Sequence, residues 1–99
     1  ITAVIKIVEE NICEADFSVK KLAAEMNMSQ PTLYRKVKQS TDYTIIELIR
    51  GVRMRRAGVL LKTKQYAVQE VAEMVGYNDI PTFRKHFVDA FGTTPSTYE

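Results

Sequence analysis

Between Leu33 and Lys64 the chain carries nine basic residues (Arg35, Lys36, Lys38, Arg50, Arg53, Arg55, Arg56, Lys62 and Lys64) against two acidic ones, Asp42 and Glu47. Residues 1–16 carry Glu9, Glu10, Glu14 and Asp16 against Lys6 alone. Guanidinium and ammonium groups at that density can hold anions, and arginine can also pair bidentately with the O6 and N7 atoms of a guanine. A basic centre with an acidic flank suits a surface that meets phosphates, although charge alone leaves a solvated helix face equally open. Bond-making chemistry has much less to work with. Cys13 is single and reads as a small buried hydrophobe. His86 has no Cys or His neighbour with which to hold zinc. It is expected to face solvent, with a phosphate contact as the alternative. No nucleophile, base or metal constellation is evident, so the sequence argues against an enzyme and requires no cofactor and no metal.

The elements that must position these charges fit a domain of 99 residues, too short to hold both a catalytic and a sensor domain. A sensor or effector domain is therefore expected elsewhere in a longer protein, from which this piece, opening mid-pattern without an initiator Met or signal sequence, is cut. The 45% hydrophobic content can build a core. No apolar run approaches the roughly 20 residues of a membrane span. The domain is expected to be cytoplasmic and nucleoid-associated, without membrane contact of its own, while the full-length protein could be a membrane-anchored sensor.

Apolar spacing of three and four recurs throughout and period-two alternation does not, so the fold class is all-α. A first helix over about residues 2–12 places Val4, Ile5, Val8 and Ile12 on one stripe. Ser18 caps a second helix ending near Met26, with Phe17 and Leu22 as a hydrophobic staple. Ser29 caps a third, which tolerates Pro31 in its first turn and buries Leu33 and Val37. Thr44 and Glu47 form a T-x-x-E capping box, with Tyr43 and Leu48 as staple, for a long helix running to about Thr63. A fifth helix covers about 68–75, a sixth runs from an Asp79 cap to about Phe91, and a seventh starts at Thr94-Pro95. Ala67 stands at the cap of the fifth and offers no side-chain acceptor.

One unit occurs twice. Leu22–Met28 lies over Val71–Tyr77 with apolar positions matched, and beyond one extra turn residue Pro31-Thr32-Leu33 falls on Pro81-Thr82-Phe83 and Val37 on Phe87. Asn27 and Gly76 sit at the two turns, where a left-handed residue is needed to end one helix and start the next steeply. This is the geometry of a helix-turn-helix. The expected organisation is a first such subdomain over 1–43, a linker helix over 44–63 and a second subdomain over 64–99. In this motif the second helix enters the major groove of double-stranded DNA. The outward stripe of the third helix is Gln30, Pro31, Tyr34, Arg35 and Lys38, with Lys36 beside it. That of the sixth is Pro81, Arg84, Lys85 and Val88. Arg35 and Arg84 suit guanine reading, whereas Lys36 and Lys38 suit phosphates. Tyr34 could meet a thymine methyl or a phosphate, or lie partly buried. Arg53 is assigned to structural pairing with Glu70 or Glu73, and Arg55 and Arg56 are left open between pairing and DNA.

Leu22-Ala23, Ser29, Leu33, Arg35, Ile49, Arg53, Ala57, Leu60-Leu61, Val71-Ala72, Val75-Gly76-Tyr77, Phe83, Phe87, Gly92, Thr94-Pro95 and Tyr98 together resemble the AraC/XylS signature over nearly the whole chain. The resemblance implies seven helices, two helix-turn-helix subdomains joined by the fourth, and activation or repression of bacterial promoters. The Leu33-Tyr34-Arg35-Lys36 run is similar to regulators, including large hybrid sensor proteins, from gut-type Bacteroidetes. Three departures stand out: Asp42 where the family commonly has glycine, Ala67 where it has Ser or Thr, and Glu99 where it has arginine. Asp tolerates the left-handed conformation better than most residues, which eases the first. The alternative function is a helical module that docks a protein partner such as RNA polymerase. Salt dependence separates the two, since phosphate binding weakens steeply with added salt.

Overall fold

Local chemistry sets the ends of nearly every helix. The computed structural model describes residues 2–14 and 17–98, which form α1 (Thr2–Glu10), α2 (Val19–Glu25), α3 (Gln30–Ser40), α4 (Ile45–Lys62), α5 (Val68–Met74), α6 (Ile80–Phe91) and α7 (Pro95–Tyr98), with no strand among them. Ser29 Oγ accepts from the Thr32 amide at 3.3 Å, and Asp79 Oδ2 accepts from the Thr82 amide at 3.2 Å. Thr44 and Glu47 close the box expected of them: the Glu47 amide donates to Thr44 Oγ1 at 3.1 Å and the Thr44 amide to Glu47 Oε1 at 2.9 Å. At Ala67 only the reciprocal half exists, with Glu70 Oε1 accepting from the Ala67 amide at 3.0 Å. The remaining amides of that first turn have no side-chain acceptor at the cap.

The two turns of the repeat share one hydrogen-bond pattern. Asn27 donates to the Ala24 carbonyl and Met28 to that of Ala23, at 3.1 and 3.0 Å. Gly76 donates to Glu73 and Tyr77 to Ala72, at 3.1 and 2.8 Å. Each is a Schellman motif, which places its pivot residue in the left-handed region, and Asn27 and Gly76 have φ of 56° and 88°. Lys64, which the sequence did not single out, ends α4 in the same conformation with φ 60°. Asp42 is not among the left-handed residues. There the chain leaves α3 in extended form at Thr41, whose hydroxyl bonds back to the Val37 carbonyl.

Burial divides at the middle of α4. Val4, Val8, Leu22, Leu33, Val37, Ile45 and Ile49 belong to one core, which ends at Val52. Ala57, Leu61, Val71, Val75, Phe83 and Phe87 belong to the other, which begins at Met54. Ile12 packs against both. The second core extends into an aromatic cluster in which Phe87, Phe91 and Tyr98 lie 4.5 to 5.2 Å apart by ring centroid. Gly58 admits that cluster: a Cβ there would stand 3.0 Å from Phe91 Cζ. No helix among the described residues is long and apolar enough to cross a membrane. Three local expectations fail. α1 ends at Glu10 and not near residue 12, Cys13 is exposed in the turn beyond it and not buried, and Tyr43, expected as a staple, is left 59% exposed. Glu99 lies outside the described residues.

Candidate nucleic-acid interface

α3 and α6 each bury a narrow stripe, Leu33 with Val37 and Phe83 with Phe87. A helix returns to one face every three to four residues, so the opposite face of each is left to solvent. Gln30, Pro31, Tyr34, Arg35, Lys36 and Lys38 are all exposed on α3, and Pro81, Arg84, Lys85 and Val88 on α6. Tyr34 is 43% exposed, which leaves part of its ring to solvent and part covered. The buried pairs fix the register between the helices at an offset of 50. On that register Arg35 corresponds to Lys85, Tyr34 to Arg84, Lys36 to His86, Lys38 to Val88 and Gln39 to Asp89. Lys38 Nζ donates to the Asp42 carbonyl at 3.3 Å, while Lys36 borders a hollow lined by Val4, Met26 and Met28.

Two further polar residues lie outside the expected stripes. Arg50 and His86 line a groove of about 360 Å³ that also includes Ser18, Ile46 and Tyr77. His86 is not a plain solvent-facing ring. Its Nδ1 lies 2.6 Å from the Tyr77 hydroxyl, and the two rings meet edge-on. Burial lowers the His86 pKa below its ordinary 6.5, with Arg50 adding to the effect and Asp89 opposing it. The shift favours the neutral ring. If the Tyr77 hydroxyl donates to Nδ1, the tautomer carries its proton on Nε2.

Arg53 does not pair with Glu70 or Glu73. It is 8% exposed, the one buried charged residue among those described, and its guanidinium donates to two backbone carbonyls, Gly76 O at 2.8 Å and Glu14 O at 3.0 Å. The Tyr77 ring centroid lies 5.9 Å from it. Burial lowers the Arg53 pKa and raises that of Tyr77, but an arginine remains charged in proteins. The structural role expected for Arg53 holds, but its acceptors are carbonyls, which carry no residue-type signature.

Residues 22–99 match a family described as a helix-turn-helix domain. Histidine kinase P4 of Formosa agariphila is 35% identical over 94 residues, which are 95% of this chain and 7% of that protein. The Msm operon regulatory protein of Streptococcus mutans is 35% identical over 80 residues, 81% of this chain and 29% of that protein. The chain thus spans less than a third of either. Among solved structures, the C-terminal domain of AraT, a response regulator from Geobacillus stearothermophilus, superposes with a TM-score of 0.91 at 28% identity, covering 98% of this chain and 80% of that one. The DNA-binding domain of AdpA, a global transcriptional factor solved in complex with a target DNA, gives 0.89 at 31%, covering 98% and 86%.

Proposed function

The chain belongs to the AraC-type helix-turn-helix family, and from that premise we propose that it binds double-stranded DNA sequence-specifically and regulates transcription at bacterial promoters. It is a DNA-binding regulator domain and not an enzyme. The observation that supports this reading best is the pairing of two Schellman-turn units, each with a second helix buried along one stripe and cationic along the other.

Residues 1–43 and 64–99 act as two reading heads, and 44–63 as the helix that spaces them. Gln30, Pro31, Tyr34, Arg35, Lys36 and Lys38 serve the first major groove, and Pro81, Arg84, Lys85 and Val88 the next. Arg35 and Arg84 read guanine, while Lys36 and Lys38 hold phosphates. Arg50 and His86 hold a backbone phosphate between the two sub-sites. The spacing is reasonable: α4 has 18 residues, about 27 Å at 1.5 Å each, and the longest dimension is 39 Å, against roughly 34 Å for one duplex turn. A sensor or effector domain belongs to the rest of the regulator, a histidine kinase among the similar proteins being of that kind. The domain works on the cytoplasmic side, at the nucleoid, whether the full-length protein is free or membrane-anchored.

Selection from a randomised duplex pool, followed by anisotropy titration of the enriched site across a salt series, tests the reading. The expected result is an enriched bipartite site whose log affinity falls linearly with log salt, with a slope near −0.9 per phosphate contacted. No enrichment, with salt-insensitive capture of RNA polymerase instead, would replace DNA by a protein partner.

A further inference from the structure

α4 runs through both cores, but a helix alone is a poor goniometer. Gly51 stands in its interior facing open space, and a glycine there weakens the helix. The changeover is occupied by Arg53, between Val52 of one core and Met54 of the other. Its two hydrogen bonds reach different units. Gly76 O belongs to the turn before α6, and Glu14 O to the segment following α1. A Cβ on Gly76 would lie 2.4 Å from Ile12 O and 2.6 Å from the same Arg53 nitrogen that bonds its carbonyl. The turn of the second unit is therefore seated directly on the end of the first, with the guanidinium closing the joint.

We propose that Arg53 is a positioning residue that fixes the angle and separation of α3 and α6 by tying the turn of the second unit to the end of α1 in the first. A planar guanidinium presents its donors in a rigid fork, so two carbonyls held by one fork cannot rotate relative to each other without losing a bond. No other described charged side chain is buried at this junction. An ammonium is a compact point donor on a flexible stem, and a lysine there would hold one carbonyl and release the other. As a positioning device Arg53 touches no base or phosphate itself. Its functional consequence rests on the reading of α3 and α6 as DNA-contacting helices, whereas the geometric part does not.

Two readouts test it on this chain, with Cys13→Ser as background. Spin labels at exposed Gln39 on α3 and Ala90 on α6 report the distance distribution between the two helices without DNA. The expected result is a narrow distribution with arginine at 53 and a broad or bimodal one in Arg53→Lys and Arg53→Gln. On DNA, the unaltered chain should lose about tenfold or more in affinity when the sub-sites are moved by 1–2 bp, because the second contact is no longer effectively intramolecular. The variants should lose affinity on the native spacing, show a flatter spacing profile, and bind single sub-sites unchanged. Narrow distributions in folded variants, or an unaltered spacing profile, would overturn the proposal. If Arg53→Gln has no cooperative melt, Arg53→Lys decides; loss of cooperative melting by both would also overturn it, since Arg53 would then hold the fold and not the angle. If the chain selects no duplex at all, the DNA reading fails while the distance distributions still decide the role of Arg53.

Discussion

Arg35 on α3 and Lys85 on α6 occupy the same place in their two units, each two residues beyond the first fully buried side chain of its helix, Leu33 or Phe83. Arg84, one residue earlier, takes the place that Tyr34 has in the first unit. The two heads are built alike and equipped differently: an arginine stands opposite the core in one and a lysine in the other.

Arg35→Ala and Arg84→Ala are each expected to weaken specific binding by about 1 to 3 kcal/mol and to relax base preference at one position, through loss of a bidentate guanine contact. Lys38→Ala should weaken binding to all sequences alike, as expected if its ammonium, which here donates to the Asp42 carbonyl, serves a phosphate. Gel shifts on a set of base-substituted sites separate the two classes. Unchanged preference in both arginine variants would take them out of the reading set.

Much of the fold was legible because it is written in local chemistry. Ser29, Thr44 and Asp79 cap the helices they precede, and Asn27 and Gly76 pivot the two turns, since each of those jobs requires a particular residue type within a few positions. The buried stripes followed from spacing of three and four. What escaped was decided by tertiary partners. Arg53 bonds carbonyls 23 and 39 residues away, and His86 meets Tyr77 only because α6 folds back past its own turn. Lys64 in the left-handed region carries no residue-type signal, and the 59% exposure of Tyr43 is set by how α4 sits on the core, which the capping motif does not encode.

Ala67→Thr is expected to stabilise the fold by about 0.5 to 2 kcal/mol. Glu70 already bonds the Ala67 amide, and a hydroxyl would complete the box by accepting from the amide of Glu70. Urea unfolding at fixed pH measures the gain; equal or lower stability would mean the added methyl and hydroxyl do not fit the cap.

The glycines of α4 and of the second turn should respond in opposite directions. Gly51→Ala fills open space in a helix interior and should stabilise by about 0.5 to 1 kcal/mol. Gly76→Ala should destabilise by about 1 to 2 kcal/mol from the left-handed backbone alone, and further from the clash with Ile12 O. Thermal melts of the two variants beside the parent decide; a neutral Gly76→Ala would contradict the close seating of the turn.

His86 makes stability depend on pH in a definite direction. Its pKa is lowered in the folded chain by burial and by Arg50, so just below 6.5 the unfolded chain binds more protons than the folded one, and stability rises with pH. The contribution is present in full above 6.5 and is lost as pH falls through the folded value. Urea midpoints at about pH 7.5 and 5.5 should therefore differ, and the difference should shrink in His86→Gln. An undiminished difference would assign the pH dependence to other groups.

Two heads on one inextensible helix must also obey the pitch of DNA. Hydroxyl-radical footprinting on three duplexes, with no insertion or about 5 or 10 bp added between the sub-sites, tests this most directly. The expected pattern is protection of both sub-sites on the first duplex only: the shorter insertion turns one sub-site to the far side, and the longer one carries it a full turn out of reach. Full protection of both sub-sites by a single chain on the 10 bp insertion would contradict two rigidly spaced heads in successive major grooves.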